Sequence, residues 1–190
     1  MECTIRADRL LSGKAVVATI GHIAVGAAIA RGFAESHEPR GRRLRRMLIA
    51  AMVATLPDAD LALRALGVPS GDQPLAHRGA SHSVIIGPGV AVMAWLVGAR
   101  LQDGVCYGLS AMSHGFLDTL SQSERGVALA WPLSRRRFTS PYQPVLARAL
   151  PEPALQRRPW AHVIMRELIV FAPAIAIAAW PGPRGPFRSR

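Results

Sequence analysis

The stretch His77-Arg78-Gly79-Ala80-Ser81-His82-Ser83 runs directly into sixteen residues without a charge, Val84 to Ala99, and its reading decides the architecture. On an ideal helix a five-residue offset is a rotation of about 140°, so His77 and His82 do not share a helical face. The stretch therefore reads as a loop ending at a helix start, with Ser81 placed to cap it. Two imidazoles entering an apolar helix make a poor core, because each buried ring nitrogen needs a partner. They make a good pair of metal ligands. Two structural histidines satisfied by their neighbours remain the alternative on these seven residues alone.

Outward from this stretch the chain is a series of apolar segments. Ala15 to Ala30 is uncharged and carries His22 among small residues; Met47 to Leu56 ends at Pro57; a helix from about Val105 to Leu120 follows the polar turn at 100–104; a last one runs from Ala161 to about Trp180, broken or kinked at Pro173. Gly87-Pro88-Gly89 predicts a kink near the start of the Val84 helix. Runs of sixteen residues fall short of the ~20 of a comfortable membrane span, so these are short spans or buried core helices. Residues 121–160 hold six prolines and the cluster Arg135-Arg136-Arg137, with Trp131, Phe138, Tyr142 and Trp160 as apolar anchors, and read as an ordered cap. The expected fold is all-α: one domain over residues 1–190, a polytopic helical bundle of about five main helices with an irregular Pro-rich cap.

Half of the residues are hydrophobic and the mean hydropathy is +0.20. The net charge of +11 comes almost wholly from arginine, with Lys14 the single lysine. The densest cluster, PRGRRLRR in the loop from Arg31 to Arg46, lacks interleaved aromatics for base stacking, so a solvated face or contact with lipid headgroups is favoured and nucleic acid disfavoured as a partner. Cys3 and Cys106 form no framework, and Cys106 reads as a small buried hydrophobe. No short apolar region with an A-x-A site precedes the first apolar run, so a cleaved signal peptide is not expected.

Other candidate ligands lie where they can meet the histidine pair. Asp58 and Asp60 follow Pro57 in the first turn of a short helix, DADLALRAL, that stops at Gly67; a helix-dipole role explains one acid there, and two point to a cation. His114 and Asp118 stand at i and i+4 on one helix face. Glu167 sits in the first two turns of the last helix. If the helices alternate in direction, Asp58, Asp60, His77, His82, His114, Asp118 and Glu167 fall at one end of the bundle, with His22 nearer that end too. His37 reads as solvated and His162 as interfacial.

GH at 21–22, LPDAD at 56–60, HRGASHS at 77–83, SHGFLDTLS at 113–121, GVALAWPLSRRRFTSPYQP at 126–144 and RELI at 166–169 resemble, in this order, the bacterial inner-membrane metal-dependent hydrolase family typified by YdjM. The resemblance covers nearly the whole chain; Ala80-Ser81 departs from it, where the family more often has a bulky residue and Thr. It implies a multi-pass inner-membrane location, and its similarity to zinc-dependent phospholipase C implies two or three zinc ions and phosphoester or phospholipid cleavage. The expected ligands are His22, Asp58, Asp60, His77, His82, His114, Asp118 and Glu167, a mixed set that also suits manganese or iron. Asp60 or Asp118 is the expected general base. Arg78 either grips phosphate or pairs with an aspartate. The rival is a non-catalytic membrane protein stapled by a structural metal. Six arginines between Arg31 and Arg46 against Arg6, Arg9 and Lys14 put that loop in the cytoplasm and the metal end toward the periplasm, with the arginines of the cap arguing the other way.

Overall fold

A computed structural model describes residues 19–61, 76–121, 126–145 and 160–181. Among them are six α-helices and no strands: α1 (Thr19–Gly32), α2 (Arg40–Thr55), α3 (Ile86–Leu96), α4 (Leu101–Thr119), α5 (Trp160–Val170) and α6 (Ala172–Ala179). Two 3-10 turns, Leu56–Ala59 and Ala80–His82, lie between α2 and α3.

Small residues let the helices close on one another. A Cβ at Gly26 would stand 2.6 Å from the Ala50 carbonyl oxygen, which fixes the α1–α2 crossing. Gly87, Gly104 and Gly108 do the same between α3 and α4, where a Cβ at Gly108 would meet the Gly87 carbonyl oxygen at 2.6 Å. Such contacts bring the helix backbones close and supply packing where large apolar side chains are lacking. α4 is the central helix, packed on α1, α2 and α3. Ala30, Ala50, Cys106 and Tyr107 are buried where α1, α2 and α4 meet, so Cys106 is the small buried hydrophobe expected.

Two positions depart from the sequence reading. The arginine-rich stretch is not a loop up to Arg46: α2 already starts at Arg40, just after Pro39, because arginine is a good helix former and a helix beginning at Met47 would have fewer than three turns. Arg46 is 2% exposed and gives bonds to Glu38 (2.5 Å), Asp103 (2.6 Å) and the Phe33 carbonyl (2.8 Å). It pins α1, α2 and α4 together and is closed to headgroups or nucleic acid. Second, α3 begins at Ile86, so Pro88 falls in its first turn, where its missing N–H costs no bond. The last helix is broken at Pro173 as expected: it is two, α5 and α6, bent by 65°, with Pro173 in the first turn of α6.

The contacts set the direction of each helix. Arg46 reaches Asp103 near the starts of α2 and α4, and the Ala54 carbonyl reaches His114 near their ends, so these two run parallel. α1 runs the other way, from His22 to Gly32, and α6 follows it, since Arg31 bonds the Trp180 carbonyl. The bundle thus has a basic end and a histidine-rich end.

Its outer surface is apolar. Leu44, Leu48, Met52 and Leu56 form an i, i+4 stripe on α2 and are each more than half exposed, and Val92, Met93, Trp95 and Leu96 do likewise on α3. A protein surrounded by water turns such a stripe inward. No single described helix is long and apolar enough to cross a membrane, whereas the bent pair α5–α6 passes on length and composition together.

Candidate metal centre

The chain delivers its polar groups to the histidine-rich end from five directions. α2 ends before Pro57, and the 3-10 turn that Pro57 opens carries Asp58, with Asp60 just past it. Asp58 therefore sits on a tight 3-10 turn, whereas Asp60 opens the α-helical run expected there, which the described residues follow only as far as Leu61. Residues 77–83 form a turn and the 3-10 segment Ala80–His82, with Arg78 at φ 64°. Ser81 caps no helix; it donates to Asp60 Oδ2 (2.7 Å) and lies 2.9 Å from His82 Nδ1. α4 contributes His114 and Asp118, α1 contributes His22, and α5 packs on α1 with Glu167 on the face that carries Phe171 against Gly21.

The imidazoles are oriented by their far nitrogens. His114 Nδ1 lies 2.7 Å from the Ala54 carbonyl, which only accepts, so Nδ1 carries the proton and Nε2 presents its lone pair. His82 Nδ1 is held by Ser81, backed by Asp60, so its Nε2 faces the same point. The two Nε2 atoms are 3.1 Å apart in a fully buried place. Two facing lone pairs at that distance need a shared proton or a cation between them.

Carboxylates complete the set. Asp58 Oδ1 lies 3.3 Å from His114 Nε2 and 3.5 Å from His82 Nε2, and Asp118 Oδ2 lies 3.4 Å from His82 Nε2. Ligand atoms about 2.0–2.1 Å from one zinc ion at the tetrahedral angle stand roughly 3.3 Å apart. The four side chains Asp58, His82, His114 and Asp118 therefore fit a divalent cation. Asp118 also reaches sideways: Oδ1 is 3.4 Å from His22 Nε2 and Oδ2 is 3.1 Å from Arg78 Nε. His22 stacks on His114 with ring centroids 3.9 Å apart. His22 Nδ1 and both Glu167 carboxylate oxygens are buried without a hydrogen-bond partner, a costly state unless a cation or proton satisfies them. Asp60, His77 and His82 make a second convergent group, with His77 Nδ1 2.7 Å from Asp60 Oδ1. One imidazole, His82, belongs to both.

The electrostatics follow from this crowding. Burial alone would raise Asp58, yet the His114 and His82 imidazoles beside its carboxylate hold it well below the usual carboxylate range. Asp60 is held low in the same way by His77, His82 and Ser81. Burial pushes His82 down, but the Asp118, Asp58 and Asp60 carboxylates outweigh it and lift its pKa to about 10. In the ion-free state His82 thus holds a proton in the place a cation would take.

All eight expected ligands are buried or partly buried at this end, and seven are in mutual contact. Glu167 is buried, with no described contact to the other seven side chains. Arg78 takes the salt-bridge reading, with its other hand on Ser121 Oγ at 2.8 Å. His37 is exposed, as expected of a solvated residue, and His162 is exposed on α5. Sequence reasoning missed Ser81 as a bridge to His82, Ser121 as the seat of Arg78, and Gly115. A Cβ on Gly115 would collide with the His82 carbonyl oxygen, so this glycine lets the HRGASHS turn lie against α4. A glycine directly after a ligand histidine was the available signal. Gly115→Ala is expected to cost about 1–3 kcal/mol from overpacking and to part His82 from His114, read as lost metal content in protein that still folds.

The cap is held by backbone more than by aromatics. Ala128 N–H donates to the Arg78 carbonyl (3.1 Å), Val84 N–H to the Leu129 carbonyl (2.9 Å), and Ser83 Oγ to the Trp131 carbonyl (2.6 Å). Tyr142 is 73% exposed and anchors nothing, while Val127 and Val145 are buried instead. Of the other expected anchors, Trp131 is partly buried and Phe138 exposed, and the Trp160 side chain and residues 122–125 and 146–159 lie outside the described residues.

A family model described as YdjM inner membrane protein matches residues 17–182. Inner membrane protein YbcI of Escherichia coli (strain K12) is 31% identical over 160 residues, covering 79% of this chain and 87% of its own. No solved structure matches the chain. The match takes in every helix and every candidate ligand described above, and it agrees with the apolar outer faces of α2 and α3. By sequence, this chain belongs to the YdjM family of inner membrane proteins.

Proposed function

We propose that this protein is a multi-pass membrane hydrolase that cleaves a phosphoester at a polynuclear divalent-metal centre, with zinc the best fit and manganese or iron as alternatives. The observation that carries the reading is the convergence of Asp58, His82, His114 and Asp118 on one buried point, beside an arginine. Asp60 and His77, together with His82, would hold a second ion, and His22, beside Asp118, would add a further nitrogen. A divalent ion held there supplies Lewis-acid chemistry, lowering the pKa of water and neutralising charge on phosphoryl oxygens.

The chain's own residues have distinct tasks. The Ala54 carbonyl and Ser81 keep the His114 and His82 tautomers that leave Nε2 free. Asp118, already shared among His22, His82 and Arg78, would serve as a metal ligand and not as the base. Asp60 and His77 would take up the proton as a pair: the His77 side chain is 27% exposed and bonded to Asp60, which gives that proton a route to solvent. Asp58, 25% exposed, marks the open side by which a phosphoester enters. Arg78, placed by Asp118 and Ser121, presents a fixed guanidinium at that site for a phosphoryl oxygen.

Near-complete burial of His82 and His114 favours a second reading, a metal that only staples the helices. Turnover separates the two. The full chain in mild detergent, loaded with zinc or manganese, is expected to hydrolyse bis(p-nitrophenyl) phosphate or a phosphatidylcholine, to stop on chelation and to resume on re-addition. A metal-replete protein that turns over neither belongs to the staple reading.

A further inference from the structure

A second feature of the bundle lies away from the metal centre. α2 and α3 both pack on α4 rather than on each other. The close contact of Gly26 with Ala50 draws α2 toward α1, and the contact of Gly87 with Gly108 draws α3 along the other side of α4. The two helices are left apart, with an open groove of about 930 Å³ between them and Tyr107 on its floor. Its walls are Ile49, Val53 and Leu56 on α2 and Val90, Met93 and Val97 on α3.

The groove is graded in charge. At the basic end it is lined by Arg42, Arg45 and Arg100. Of the acids there, Asp103 is taken by Arg46 at 2.6 Å, and Glu35 meets Arg100 alone, at 3.6 Å in an exposed ion pair. Arg42 and Arg45 are exposed and have no ion-pair partner among the described residues. From Arg42 to Leu56 the helix rises about 21 Å, close to one leaflet with its headgroups, roughly half of 40–45 Å. An ion of one sign at one end of an apolar trough of that length is complementary to a single amphiphile.

We propose that the α2–α3 groove is a binding site for one anionic phospholipid, its phosphate at Arg42, Arg45 and Arg100 and an acyl chain laid along the groove toward Leu56 and Ile86. The charge gradient fixes this direction. The reverse pose would bring a phosphate toward the metal centre but would bury an acyl terminus among three guanidinium groups. The bound lipid is therefore a resident ligand and not a substrate, and the inference stands independently of the hydrolase reading.

The test is native mass spectrometry of the full chain in detergent, titrated separately with phosphatidylglycerol and phosphatidylcholine of the same acyl chains. One saturating phosphatidylglycerol adduct, at least tenfold tighter than phosphatidylcholine, is expected. Arg42→Gln with Arg45→Gln, both exposed, should bring phosphatidylglycerol down to the phosphatidylcholine level. Met93→Trp, also exposed and in the groove wall, should weaken both lipids. Arg135→Gln with Arg136→Gln removes equal charge from the cap and should change neither. Equal binding of the two lipids, unsaturable multiple adducts, or the same loss in the Arg135/Arg136 variant would each overturn the assignment.

Discussion

Chelation lowers the thermal midpoint of the detergent-solubilised protein by about 10 °C on this account. A ligand present at a thousand times its dissociation constant stabilises by about 4 kcal/mol, and for a chain of this size each kcal/mol moves the midpoint by about 2–4 °C. The effect is large because removing the cation leaves three aspartates crowded among imidazoles at one buried point, with only Arg78 and a protonated His82 to balance them. The loss has a pH signature. His82 has a folded-state pKa of about 10 against an ordinary 6.5, so its contribution in the ion-free protein is complete below about pH 6.5 and disappears as the pH rises toward 10. Metal binding runs the other way, because the imidazole must give up that proton to become a ligand. The midpoint difference between loaded and chelated protein should thus widen between pH 6 and pH 9. Differential scanning fluorimetry at the two pH values reads both effects; a constant or shrinking difference would exclude His82 as a ligand.

His82→Ala, His114→Ala and Asp118→Ala should each lower metal-dependent turnover by about a thousandfold, roughly 4 kcal/mol in activation free energy, and any pair should do little worse than either member. Groups that hold one ion act as a unit, so once the ion is lost a second substitution has nothing left to remove. His82 and His114 are 3.1 Å apart and His82 and Asp118 3.4 Å, well within the range where effects cease to add. Multiplicative losses in the double variants would show that these residues serve separate sites. Ser81→Ala is the graded control. It keeps all three ligands and removes only the bridge from His82 to Asp60, so a loss of about 10–100-fold is expected.

Much of this arrangement was legible in the chain because ligand groups recur at segment ends. Asp58 follows the proline that stops one helix, His82 precedes the start of the next, and His114 and Asp118 share a face by spacing alone. Alternation of helix direction then brought them to one end, and the structure places them there. What spacing did not reveal was backbone. The Ala54 carbonyl that selects the His114 tautomer carries no side-chain signal, and Ser81 reads as a helix cap until the 3-10 turn pulls it onto Asp60. The arginine cluster misled for a related reason. Charge density at 40–46 looks like a solvated loop, yet Arg46 finds two acids, Glu38 and Asp103, eight and fifty-seven residues away, and is buried between them. Long-range pairing of that kind is a tertiary property, and local composition does not contain it.

If one buried cation joins α2, α4 and the HRGASHS turn, elemental analysis will find it in the purified protein. Protein purified without added metal and passed through a mild chelator wash should retain at least one equivalent of zinc, manganese or iron, and His114→Ala prepared in parallel should retain close to none while keeping its helical circular dichroism. Wild-type protein that folds fully with no stoichiometric metal, or a His114→Ala variant that holds as much as the wild type, would contradict it.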